Sequence, residues 1–324
     1  MSKLFAELVP LLPPQPATTI HTNVDKRVSF FIGISLNECT TEQNRFTSLL
    51  TRGRFFPMRG KLKIWKALFS IWLQDGLAYR ASAVIWILSD TIPAMIMPAV
   101  FIAGMAQGGQ IGGFDASQFV TYYLVMLLFA NFITSHLMWD MAYEIKEGIF
   151  TNHLLRPVSY FQSTTIRNLA WRVMRTMLFI PIFGLLLLFY GKYLTNVHVY
   201  LGWEVWVAVV LGHIVSWCFV FMMTMLALFF TEVQSIFALY YFPMLFLSGQ
   251  LFPIHLLPEW ASKAAMFLPF YYTTGLPVEL VVQRINPATA HSLLAVQLLW
   301  IVVSLLGARL LWKYGLRHYT AVGM

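Results

Sequence analysis

The run AVIWILSDTIPAMIMPAVFIAGM, Ala83–Met105, carries one charge, Asp90, and no Lys or Arg. At about 1.5 Å of rise per residue such a helix is long enough to cross a hydrocarbon core of about 30 Å. The pattern around it repeats. No Lys or Arg occurs from Ala81 to Asp140, and only Lys192, Lys263 and Arg284 occur from Met177 to Gly307. The other 19 of the 22 basic residues fall before residue 81, between residues 141 and 175, or after residue 308. Long apolar blocks separated by basic segments are what the positive-inside rule produces in a polytopic membrane protein.

Composition agrees. Apolar residues make up 58% of the chain and charged ones 11%, against roughly 25% charged in an ordinary soluble domain. A soluble chain of this size would have to cover its surface with 36 charged residues, half of them near the ends, which is too few. The net charge of +8 therefore points to loops lying against anionic lipid and not to nucleic acid. The two cysteines, Cys39 and Cys218, sit in a polar and an apolar stretch, so neither a disulfide nor a metal site is expected. The N-terminus lacks the basic-then-apolar order of a cleaved signal peptide.

Residues 1–57 hold a Pro cluster (Pro13, Pro14, Pro16) and dense polar residues without periodicity. They read as a poorly ordered cytosolic tail, with the permeation domain beginning at Met58 and running to Met324. Lys61–Arg80 is amphipathic: Trp65, Leu68, Phe69 and Trp72 share one face and Lys61, Lys63 and Lys66 the other. It suits a helix lying in the cytoplasmic interface, or the wet first turns of the first span. Six spans follow, at about 83–105, 119–138, 177–190, 205–230, 236–251 and 293–312. A cytoplasmic loop is expected from Trp139 to Arg175, and both termini inside. The fold class is all-α integral membrane, an interfacial helix plus six transmembrane helices. No internal repeat is visible, which disfavours an inverted-repeat carrier.

Catalytic signatures are missing. Gly60-Lys61 and Gly191-Lys192 lack the upstream Gly and downstream Ser or Thr of a phosphate-binding loop. The informative segments are two. In the loop after span two, Glu144, Lys146, Glu147 and Gly148 precede a short helix that closes on Leu154, Leu155, Arg156 and Pro157. A charged rim around Ile149, Phe150, Leu154 and Leu155 fits either docking into a groove on another protein or resting on headgroups. After span five, Ser248, Gly249 and Pro253 break the helix, Pro258 can start another, and Trp260 and Pro269 follow. This reads as a re-entrant pair of short helices with Trp260 as an interfacial anchor.

The order and spacing of these motifs, from Met58 to Met324, resemble the permeases of ABC-2-type ABC transporters. The C-terminal Tyr314-Gly-Leu-Arg-His-Tyr319 suits a branch in which two permease subunits share one separate ATPase. The resemblance implies a type V exporter-like architecture in the plasma membrane of a prokaryote. It also implies that Lys146–Pro157 is the coupling helix that inserts into the ATPase. ATP and Mg would be bound by that partner, with no cofactor on this chain. A second permease, identical or homologous, would complete the path.

Polar residues inside the apolar runs remain. Asp90, His213 and Gln297 lie in spans one, four and six, with His136 and Asp140 near the inner end of span two. An intramembrane carboxylate marks a pathway or an interface by default; for Asp90 the alternative is a simple pairing with Arg80. His213 is expected to be a hydrogen-bonded packing residue and Gln297 an interhelical hydrogen bond. The two functions to separate are a permease subunit driven by a partner ATPase and an ion-gradient carrier using Asp90 and His213.

Overall fold

The computed structural model describes residues 58–105, 109–156, 158–194, 197–230 and 233–319; the tail 1–57, Pro157 and Cys39 lie outside them. Helices make up most of the described residues. The first is α1, Met58–Ala78. After a turn at Tyr79 comes α2, Arg80–Gly104, which buries Ala83, Ile87, Thr91, Ala94 and Pro98 on one stripe. Its other face leaves Ile85, Trp86, Ile92, Met95, Ile96 and Val100 exposed. Such a surface is stable only against hydrocarbon or another protein.

Helix α3, Ala116–Ile133, starts on a reciprocal cap: the Asp115 carboxylate accepts from Gln118 N, and Asp115 N donates back to the Gln118 side chain. It packs on α2 through Phe119, stacked on Phe101 with centroids 4.3 Å apart. The chain then breaks at 134–137, restarts as α4, Met138–Lys146, turns at 147–149 and forms α5, Phe150–Leu155.

Helix α6, Tyr160–Tyr190, is capped by Ser159. This corrects the expected loop Trp139–Arg175 and the short third span. Arg167, Arg172 and Arg175 looked like loop residues, but all three lie on α6, and the last two are buried inside the bundle. Then come α7, Trp203–Thr224, and α8, Val233–Leu247. A single turn Ile254–Leu256 leads to α9, Glu259–Phe267, then a π-turn Tyr271–Gly275 running into α10, Leu276–Val281. Finally α11, Pro287–His318, opens on an Asn286 cap with Pro287 in its first turn.

Among the described residues five helical stretches are long and apolar enough to cross a membrane: Arg80–Gly104, Ala116–Lys146, Tyr160–Tyr193, Trp203–Leu228 and Pro287–His318. The expected span 236–251 differs. Helix α8 has 15 residues and so reaches only about 22 Å. Its extension is stopped at Gly249, whose φ of +81° turns the chain back. Two apolar cores result. One gathers α2, α3, α7 and the α9–α10 segment; the other surrounds Met138, Phe150, Tyr160, Phe221 and Met225.

Candidate functional site

Where α3 breaks, its last carbonyls lose their helical partners, and buried backbone groups of this kind must be satisfied by neighbours. Two helices, α6 and α7, supply them. Arg172 of α6 donates to the Asn131 carbonyl at 2.6 Å, and a His213 ring nitrogen of α7 lies 3.2 Å from the Ile133 carbonyl. Ser216 of α7 accepts from Ser135 N at 3.1 Å, and Asn168 of α6 donates to the Ser135 hydroxyl at 2.7 Å. Two cations at a helix C-terminus also meet the negative end of its dipole. Arg175, one turn on from Arg172, donates to the Asn131 side chain at 2.9 Å and forms an ion pair with Asp90 of α2. So Asp90 pairs with Arg175, not Arg80. This polar layer borders a cavity of about 120 Å³ lined by Asp90, Asn131, Thr134, His136, Arg175 and Gln250.

A second polar node lies where α4, α5 and α6 meet. The Glu144 carboxylate accepts from Arg167 at 2.9 Å and from the Tyr160 hydroxyl at 3.2 Å, with His153 Nε2 at 3.5 Å. Arg167 also reaches Asp140 at 3.3 Å, and its guanidinium lies over the Trp72 ring of α1, 4.5 Å from the centroid. The expectation that Glu144 sits on an exposed rim is therefore wrong: its side chain is 9% exposed. Sequence spacing placed it beside Lys146 and Glu147, which are exposed, but α4 turns it toward α6.

The helix within the segment Lys146–Pro157 covers only Phe150–Leu155, because Gly148 adopts φ +71° and opens a turn ahead of it. Phe150 is fully buried, in edge contact with Tyr160, Trp312 and Tyr319, and so is no docking anchor. Leu155 points outward at 77% exposure, with Ile149 and Leu154 at about 40%. Arg156 is also exposed.

At the other end of the bundle, the Tyr122 and Tyr123 hydroxyls donate to the Gly249 and Leu251 carbonyls at 2.8 and 2.7 Å. The Ser248 carbonyl accepts from Thr274 at 3.2 Å. Phe114 is sandwiched between His255, stacked at 4.7 Å, and the Arg284 guanidinium at 4.0 Å. Pro253 precedes the turn Ile254–Leu256, Pro258 precedes α9, and Pro269 lies in the turn before the π-turn; Trp260 on α9 is 74% exposed. Gln297 of α11, fully buried, donates to the Ala208 carbonyl of α7 at 3.0 Å and to the Tyr272 carbonyl of the π-turn at 2.7 Å. A π-turn leaves carbonyls misaligned for the helical ladder, and Gln297 answers one of them. A side chain at Gly212 would meet the Thr273 carbonyl at 2.4 Å, so α7 and the π-turn touch backbone to backbone there.

A chain with several apolar helices, a short helix after the second crossing and a re-entrant segment after an interrupted helix matches, over residues 92–323, the family described as ABC-2 family transporter protein. The chain belongs to that family. It is a permease: a multi-pass membrane subunit of an ABC transporter, of a kind that is not itself the catalytic component and works with ATPase subunits. No curated protein matches it. The family match spans both nodes of this ABC-2 permease except α1 and the first half of α2, so Trp72 and Asp90 are features beyond the matched region. The polar layer has two signals in the sequence that residue-by-residue reading passes over. Arg172 and Arg175 are spaced to share a helical face, directly before an apolar run, and Thr134-Ser135-His136 interrupts another.

Proposed function

We propose that this permease is the membrane half of an ATP-driven exporter. It pairs with a second permease, identical or homologous, and takes its drive from two copies of a separate ATPase through Lys146–Pro157. It has six spans with α8 as the fifth, both termini cytoplasmic, and α1 in the cytoplasmic interface. Glu147, Gly148 and Arg156 frame the docking surface, and Leu154 and Leu155 enter the ATPase groove. Closure of the ATPase dimer on ATP would push this segment, and the α5–α6 contact would carry the push into the bundle.

One observation carries the reading. Leu155 stands out at 77% exposure, with Leu154 half exposed beside it, on a helix whose other side is locked, by Phe150 and His153, to Tyr160, Trp312 and Glu144. A free segment would absorb a push; a locked one passes it to α6 and, through Arg167, to Trp72 of α1.

The test is purification of the tagged full chain from its native membrane in mild detergent. A P-loop ATPase should accompany it in stoichiometric amount. A chain that purifies alone and moves substrate on an ion gradient in proteoliposomes contradicts the reading. That outcome is the second reading, a carrier using Asp90 and His213, and the cavity beside Asp90 favours it. Against it, Asp90 is held by Arg175 and His213 by a backbone carbonyl, with no bond between the two among the described residues.

A further inference from the structure

A groove of about 380 Å³ opens where the α5–α6 turn meets α7 and α11. One end is cationic: Arg156 and Arg309 both line it, both are exposed, and neither makes an ion pair among the described residues. Ser159 and Phe161 bring the first turn of α6 to the same wall, which adds the positive end of a 31-residue helix. Among the described residues no Asp or Glu lines the groove. The remaining wall is apolar. It runs along α11 from Trp312 to Leu305, about 10 Å of rise, with Phe221 of α7 opposite.

We infer that this groove binds an anionic phospholipid, with the phosphate held by Arg156 and Arg309 and the upper part of an acyl chain lying along Leu305 and Phe221. Charge complementarity selects an anionic head. The apolar wall selects a tail, because it continues into the α11 face where Val302, Leu306 and Leu310 stand exposed. An extended peptide laid along that face would leave backbone groups without partners in hydrocarbon, and an acyl chain has none to satisfy. Trp312 sits between head and tail, as an interfacial indole does. The inference rests on the membrane placement of α11 and not on the coupling role of Leu154 and Leu155.

Native mass spectrometry of the full-length protein, titrated with phosphatidylglycerol or with phosphatidylcholine of the same chains, tests it. Phosphatidylglycerol should bind preferentially. The R156Q/R309Q pair should weaken it about 25-fold, at roughly fivefold per arginine near anionic lipid, toward the phosphatidylcholine level. R156K/R309K should retain most of the preference, and L305W should weaken both lipids by filling the tail channel. L155D, at a position that does not line the groove, should leave the preference intact while weakening the ATPase contact, so failure of coupling and failure of lipid binding read out separately. Equal retention of the two lipids, or phosphatidylglycerol binding unmoved by R156Q/R309Q, overturns the site. Release of the lipid by millimolar inorganic phosphate, with L305W silent, shows a free-phosphate site instead. Retention of neither lipid by the wild-type chain overturns it in favour of a protein segment in the groove.

Discussion

Arg167 on α6 holds the Glu144 carboxylate of α4 at 2.9 Å while its guanidinium covers the Trp72 ring of α1. One side chain thus joins three helices at the end of the bundle that carries Leu154 and Leu155. Glu144 is nearly enclosed, so removing it leaves Arg167 without its buried counter-charge.

Glu144→Ala should destabilise the permease by about 3 kcal/mol, the low end for breaking a buried pair since Arg167 keeps Asp140. Glu147→Ala, at an exposed position, should cost about 0–1 kcal/mol. Thermal unfolding of both variants in the same detergent checks the ranking, and equal stability would place Glu144 outside the network.

Asp90→Asn should be destabilising for a related reason, since it leaves Arg175 paired only with Asn131. Adding Arg175→Gln should recover most of the loss, because replacing both partners is far less costly than orphaning one. A carrier that protonates Asp90 predicts something else: D90N stable, but dead in flux, and not rescued by R175Q.

Gly249→Ala probes the turn that ends α8. At φ +81° a Cβ costs about 1–2 kcal/mol, and here it would also stand 2.6 Å from the Tyr122 hydroxyl. The variant should lose the Tyr122 bond to the Gly249 carbonyl and unfold earlier; unchanged stability would mean the turn tolerates another conformation.

Topology is checked by single cysteines. Labelling from outside should succeed at Asp115 and Glu259 and fail at Glu147. A chain starting at Met58 should insert and assemble as the full chain does, and loss of assembly would show that residues 1–57 hold a partner.

How far the sequence carried these conclusions depends on what each residue type signals. Spans around Asp90 and Gln297 were legible because twenty apolar residues have few other uses, and the breaks at Gly249 and Pro258 because those residues restrict the backbone in known ways. Arg172 and Arg175 misled. A basic residue reads as loop unless its partners are known, and those partners, the Asn131 carbonyl and Asp90, lie 41 and 85 positions away. Glu144 misled in the same manner, since burial by α6 is a long-range fact. Phe150 looked like an anchor beside Leu154 because a six-residue helix has too few turns to show which face is inward.

The coupling claim is decided by ATPase pull-down on Leu154→Asp/Leu155→Asp. If these side chains fill an ATPase groove, they are central anchors worth about 2 kcal/mol or more each. The double variant should then insert normally and lose the ATPase. Full ATPase retention by a correctly inserted double variant would contradict the account.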